Sequence, residues 1–210
     1  DPVATGTWET VTTFDVGADL GFLKDKLTFS GDFYIRNTKG ILAVGKQLPS
    51  IYGAGEPKVN ANDMRTTGWE IQLEWRDSFN IGSERFDYSI GGSLADYTAV
   101  YTKADNPDGI IGAPYVGMRL GEIWGYRTGG LFATDEEAAQ YISEVDCSKI
   151  YTEYMNCTSE YGKGVRAGDL KILDVDGDGE LAWGKNTINN HGDAEIIGNS
   201  QPRFSYDFNA

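Results

Sequence analysis

The chain has 210 residues, carries 18 Lys and Arg against 32 Asp and Glu, and has a net charge of −14. That balance excludes nucleic acid as a partner, because replacing the counterions around phosphates takes a basic surface. No apolar run reaches the roughly 18 residues of a membrane-spanning helix, but a spanning β-strand takes about 9–11 residues with only alternate ones apolar, and that route stays open.

The first predicted element sets the class. From Thr12, the positions Phe14, Val16, Ala18, Leu20 and Phe22 are apolar, while Thr13, Asp15, Gly17, Asp19 and Gly21 fall between them. This is period-two alternation, the mark of a strand with one apolar face. A short polar turn at Lys24-Asp25-Lys26 leads to a second run, with Leu27, Phe29, Gly31, Phe33 and Ile35 against Thr28, Ser30, Asp32, Tyr34 and Arg36. Two such runs joined by a short turn form a hairpin. A Gly-, Pro- and Asn-rich stretch from Gly45 to Asp63 reads as a long loop. A third run follows, with Trp69, Ile71, Leu73 and Trp75 against Gly68, Glu70, Gln72 and Glu74. After a turn over Asp77 to Glu84 comes a fourth, with Phe86, Tyr88, Ile90, Gly92 and Leu94 against Asp87, Ser89, Gly91, Ser93 and Ala95. A very long connection, from about Thr102 to Ser200, precedes a fifth run of Phe204, Tyr206 and Phe208.

The pattern suits two architectures: a soluble antiparallel sheet with one face on a core, or part of a transmembrane antiparallel β-barrel. Aromatics at the ends of the apolar faces, wet polar faces rich in Asp, Glu, Gln, Ser and Gly, and connections that alternate between short and long favour the barrel. Strands one, three and five then run inward, and strands two and four outward. The expected fold class is all-β, a section of barrel with long extracellular loops carrying a short helix. Residues 1–101 would hold four transmembrane strands with one long outer loop. Residues 102–200 would form the long extracellular region, and residues 201–210 the fifth strand. Five strands close no barrel of even strand number, so further strands are expected outside this sequence. The start on Asp1-Pro2, without Met, agrees with a fragment or a processed product.

Within the long connection, Thr134-Asp135-Glu136-Glu137 reads as a capping box ahead of Ala138, Ala139, Tyr141, Ile142 and Val145, a short helix expected as exposed decoration without chemistry. Cys147 and Cys157 lie in one polar segment. In an oxidising compartment they would close a small loop, worth roughly 3 kcal/mol by chain entropy; otherwise they are free thiols. Asp174-Val175-Asp176-Gly177-Asp178-Gly179-Glu180-Leu181 matches the start of a calcium loop, with carboxylates at positions 1, 3 and 5, Gly at 6, and the Glu180 carbonyl at 7. Position 12, a bidentate acid in that pattern, is Lys185; Asp193, Glu195 or Asp169 are the candidates to replace it from outside the loop. The same carboxylates also suit an acidic turn held by side-chain hydrogen bonds to its own backbone. Structural Ca²⁺ is the one cofactor expected. For catalysis the sequence offers a single His, His191, and no nucleophile elbow, phosphate loop or zinc spacing, so an enzyme is not expected.

Several stretches in order resemble the SusC/RagA family of TonB-dependent outer-membrane transporters. They are Trp8-Glu9-Thr10-Val11-Thr12-Thr13-Phe14-Asp15-Val16-Gly17, Asp32-Phe33-Tyr34-Ile35-Arg36-Asn37-Thr38-Lys39 and Gly68-Trp69-Glu70-Ile71. Gly121-Glu122-Ile123-Trp124-Gly125-Tyr126-Arg127-Thr128-Gly129-Gly130-Leu131-Phe132, Gly168-Asp169-Leu170-Lys171, the acidic loop and Ile197-Gly198-Asn199-Ser200-Gln201-Pro202 follow. The resemblance spans nearly the whole chain. It implies a barrel of about 22 strands in outer-membrane lipid, plugged by an N-terminal domain absent from this sequence. It also implies a SusD-like surface lipoprotein as lid, energy from the TonB complex, and oligosaccharide or peptide cargo. The contrasting reading is a soluble secreted calcium-dependent carbohydrate-binding or adhesion module, which would need no detergent for extraction.

Overall fold

The computed structural model describes residues 6–44, 58–150 and 164–210. Four long strands come first: β1 (Thr10–Phe22), β2 (Leu27–Val44), β3 (Lys58–Ile81) and β4 (Glu84–Lys103). Short elements follow, β5 (Glu122–Tyr126), β6 (Thr128–Leu131), α1 (Asp135–Glu144), β7 (Leu170–Ile172) and β8 (Ala194–Asn199), before β9 (Phe204–Asn209). The long strands and β9 make one antiparallel sheet in the order β1-β2-β3-β4-β9. These are the five alternating runs, and they form an up-and-down antiparallel sheet with β1 and β9 at its edges.

The strands exceed their apolar cores. β3 starts at Lys58, inside the stretch read as loop, and runs through Asp77 to Ile81. The expected turn over Asp77 to Glu84 therefore shrinks to Gly82 and Ser83, with Gly82 at φ +66°, a left-handed conformation suited to a tight hairpin. Pairing of Phe79 with Phe86 and of Asn80 with Arg85 carries the ladder down to the turn. Residues 45–57 lie outside the described residues.

The chain divides into two units. The first holds the five-stranded sheet together with Val116–Leu120. It is a single layer: among its described residues, the buried ones are small or polar, such as Ala61, Asn62 and Ala99. The second holds Asn106–Tyr115 and Gly121–Ser200 and has a true core. Tyr126, Phe132, Ala138, Cys147, Ile150, Val165, Ile172 and Leu181 form one buried cluster, with Tyr141, Ile142, Val145 and Trp183 packed against it. Two small antiparallel pairs, β5 with β8 and β6 with β7, frame that core.

This corrects the reading of the helix as exposed decoration. Ala138 is fully buried, and Tyr141 donates its hydroxyl proton to the Ile172 carbonyl. Thr134 caps α1 by accepting from the Glu137 amide at 3.1 Å. Glu137 reaches back one residue further than a capping box requires, to the Ala133 amide at 2.9 Å, and also binds Lys171 at 3.2 Å.

Candidate functional site

Because side chains alternate along a strand and paired residues share a face, register decides what each side of the sheet presents. One row runs Val16, Phe33, Trp69; the next runs Leu20, Phe29, Leu73 and ends on Gly92 and Phe208; Ile71 faces Leu94 and then Tyr206. On the opposite side, Asp19, Ser30, Gln72, Ser93 and Asp207 form one row, and Gly17, Asp32, Glu70, Ala95 and Ser205 the next. The predicted sets therefore separate. Phe14, Val16, Leu20, Phe29, Phe33, Trp69, Ile71, Leu73, Tyr88 and Ile90 share one face, and Asp15, Asp19, Asp32, Glu70, Gln72 and Asp87 share the other.

The apolar face is bare. Phe14 is 62% exposed, Leu73 48% and Phe208 75%. Soluble monomers rarely expose a continuous apolar face of this kind, and where one occurs it marks a surface that a protein or a membrane covers. Toward the Gly82 turn the face becomes aromatic: Trp75 Nε1 donates to the Tyr88 hydroxyl at 3.1 Å, and the Phe79 and Phe86 rings lie 5.2 Å apart. Asp77 and Asp96 also fall on this face by register, and each meets a cation, Lys26 at 2.6 Å and Arg203 at 3.4 Å. The polar face is knit by short contacts, with the Ser30 hydroxyl donating to Asp19 at 2.6 Å and Ser93 donating to Asp207. Arg76 pairs with Glu74 at 2.7 Å and Arg85 with Asp87 at 2.7 Å.

In the second unit, the acidic loop is built by its own side chains. Asp174 accepts from the amides of Gly177 at 2.7 Å and Gly179 at 2.9 Å, Asp176 from Asp178 at 3.1 Å, and Asp178 from Glu180 at 2.8 Å. Gly179 takes φ +82°, as the sharp turn expected there requires. Leu181 then plunges into the core, fully buried, while its amide donates to the Asp146 carbonyl at 2.7 Å.

Of the four residues proposed from sequence as a metal set, the fold brings together Asp174 and Asp176, and it adds Asp193; carboxylate oxygens of these three lie within 4.8 Å of one another. Asp178 lies outside that carboxylate cluster; the atom expected of Glu180 is its backbone carbonyl, and its carboxylate pairs with Lys149. That pair holds the Lys149 ammonium above its ordinary value, chiefly through the hydrogen bond. Asp193 is fully buried and clasps both ends of the loop, accepting from the Val175 amide at 2.7 Å and the Ala182 amide at 2.9 Å. Burial pushes its pKa above the usual carboxylate range, against the pull of those amides. The other two candidates to complete the loop are engaged elsewhere: Glu195 pairs with Arg127 at 2.5 Å, and Asp169 accepts from the Arg166 amide at 2.9 Å. An ion with oxygen ligands at about 2.3–2.6 Å fits among three carboxylates so spaced. The signal for Asp193 in the sequence is only that it is an acid shortly after the loop.

Cys147 is buried in the core cluster. Its expected partner, Cys157, lies outside the described residues. Tyr115 is buried and donates to Glu122, and burial with that carboxylate beside it pushes the phenol up to about 12.

Residues 2–146 match the family described as TonB dependent receptor-like, beta-barrel. The chain is 24% identical to TonB-dependent receptor P39 of Formosa agariphila over 219 residues, covering 95% of this chain and 21% of that protein. It is 23% identical to TonB-dependent receptor P3 of the same organism, covering 96% of this chain and 19% of that one. Among solved structures, the RagAB peptide importer in the 'closed-closed' state shares its fold with a TM-score of 0.53 at 13% identity, over 96% of this chain and 19% of that one. The chain thus spans about a fifth of the length of the relatives it matches.

Proposed function

The chain belongs to the TonB dependent receptor-like β-barrel family, and from that premise we propose that it forms part of the channel wall in a TonB-dependent importer of the bacterial outer membrane. The observation that carries the proposal is the uncovered sheet with segregated faces. Lipid covers the apolar side, where Phe14, Val16, Phe33, Ile71 and Leu73 stand. The polar side, with Asp19, Asp32, Glu70 and Gln72, lines the lumen. In a barrel such alternation is what lipid on one side and a wet interior on the other demand. The open edges at β1 and β9 pair with further strands of the same barrel. No catalytic step is assigned to the chain.

The cargo is a nutrient oligosaccharide or peptide, taken up in a SusCD-like complex with a SusD-like surface lipoprotein and driven by the TonB complex. The SusC/RagA resemblance of the ordered motifs supports this reading, and the fold shared with an importer of the RagAB type agrees with it. The test is uptake by cells carrying or lacking the receptor, supplied with defined oligosaccharides or peptides as sole nutrient. Loss of growth on one cargo class upon deletion, together with co-purification of a surface lipoprotein in detergent, is expected. Recovery of the receptor from the soluble fraction without detergent contradicts it and returns the secreted-module reading.

Two structural features belong to the same proposal. Ca²⁺ is held by Asp174, Asp176 and Asp193 and stiffens the second unit away from any cargo chemistry. Cys147 is bonded to Cys157, which an oxidising cell surface permits. Alkylation of the folded receptor should label neither thiol until reductant is added; full labelling without reductant removes the disulfide from the account.

A further inference from the structure

β9 pairs with β4 only over Gly91–Asp96, although β4 continues to Lys103. Toward Lys103 that edge is occupied by residues 117–120, which lie far before β9 in sequence. The Gly117 amide donates to the Tyr101 carbonyl at 2.8 Å, the Tyr101 amide to Met118 at 2.9 Å, and the Leu120 amide to Ala99 at 2.8 Å. Val100 and Arg119 form an antiparallel bridge between them. Residues 117–120 and β9 therefore lie along the same edge of β4, both antiparallel to it, one after the other. Between them β4 presents only Thr98 and Tyr97, while residues 121–203 intervene in the chain.

The intervening stretch begins and ends in one place. The Ser200 amide donates to the Gly121 carbonyl at 2.8 Å, and the Ser200 hydroxyl to the same oxygen at 3.2 Å. From there β5 and β8 run as a two-stranded ribbon, from Glu122 opposite Asn199 to Tyr126 opposite Ala194. Beyond the ribbon lies the buried cluster of the second unit, which has its own helix and sheet pairs. Where the chain returns to β4, Arg203 meets Asp96.

We propose that residues 117–120 and β9 are two halves of a single barrel strand, and that residues 121–203 are an insertion, packed with Asn106–Tyr115 into one compact unit, that barrel assembly does not require. The inference rests on the barrel reading for its membrane arm only. A continuous strand would need just two residues between Leu120 and Phe204, facing Thr98 and Tyr97. Two residues keep Phe204 on the apolar face, whereas one or three would turn the whole of β9 over.

The test uses the full receptor. Residues 121–203 are replaced by Thr-Ser in one variant and by a single Ser in another. Separately, the cysteine pairs Val100→Cys with Arg119→Cys and Ala95→Cys with Ser205→Cys are placed in the otherwise unaltered receptor, and disulfides are mapped by peptide mass spectrometry. Both pairs should cross-link. The Thr-Ser variant should reach the outer membrane as a folded barrel with the heat-dependent gel mobility of its parent, and the single-Ser variant should be lost to degradation. Cross-linking of Ala95→Cys with Ser205→Cys but not of Val100→Cys with Arg119→Cys overturns the composite strand. Loss of the Thr-Ser variant, or equal folding of both deletions, overturns the claim that the insertion is independent of a register-matched strand. A parent missing from the outer membrane contradicts the importer reading instead, and the cross-links still report on the strand.

Discussion

At Asp193, burial and hydrogen bonding pull in opposite directions. The buried carboxylate is disfavoured as an anion, yet both its oxygens accept backbone amides at the two ends of the acidic loop. A divalent cation beside Asp174 and Asp176 resolves the conflict by supplying the opposite charge. Calcium is therefore expected to slow hydrogen exchange in the loop of the wild-type receptor. Asp176→Ala should abolish that slowing, while Asp178→Ala should keep it, because Asp178 lies outside the cluster. Exchange that responds to calcium equally in both variants removes the site. Glu137 poses a simpler case. The Ala133 amide and then Lys171 hold its carboxyl below the usual 4.5. A carboxylate with a lowered value contributes stability above the ordinary range and loses it as pH falls through the lowered value. Protection of the 131–145 segment in the wild type should exceed that of Glu137→Gln at neutral pH, and the gap should close progressively below pH about 4.5. A gap independent of pH would place the effect in shape rather than charge.

At the scale of elements, the alternation in β1, β2, β3, β4 and β9 was legible because each apolar row is set against Asp, Glu, Ser or Gly, and register then had little freedom. The strand ends were not. Asp77 opens the stretch read as a turn, yet it is held by Lys26 and the ladder runs on to Ile81. Residues 116–120 do alternate, with Val116, Met118 and Leu120 apolar around Gly117 and Arg119, but five residues are too few to stand out as a strand, and it is β4 that pairs them. The helix was recognised from its cap, but its burial depended on Phe132, Ile172 and Leu181, which come from separate stretches of chain. In the acidic loop, the spacing of Asp174 and Asp176 was readable, whereas the pairing of the Glu180 carboxylate with Lys149 was not, since that pair spans distant residues. The strand reading carries a stability prediction. Leu73→Arg places a charge on the apolar face and should cost about 2–4 kcal/mol if it lies near the bilayer midplane. Gln72→Arg, one residue away on the polar face, should cost far less. Refolding titrations into lipid vesicles measure both, and equal losses would contradict the assigned faces.

For the whole molecule, the central claim is that one single-layer sheet separates lipid from a wet lumen. The five strands contribute a section of that wall, and the second unit has a buried core of its own. The most direct measurement is site-directed spin labelling of the full receptor in lipid vesicles, one cysteine at a time along β1, β2 and β3. Labels at Val16, Leu20, Phe33, Ile71 and Leu73 should collide with dissolved oxygen and be shielded from a water-soluble nickel complex. Labels at Asp15, Asp19, Asp32, Glu70 and Gln72 should show the reverse or be shielded by whatever fills the lumen, giving an accessibility that alternates with period two. Oxygen accessibility that fails to alternate, or equal exposure of the apolar row to the nickel complex, would contradict the account.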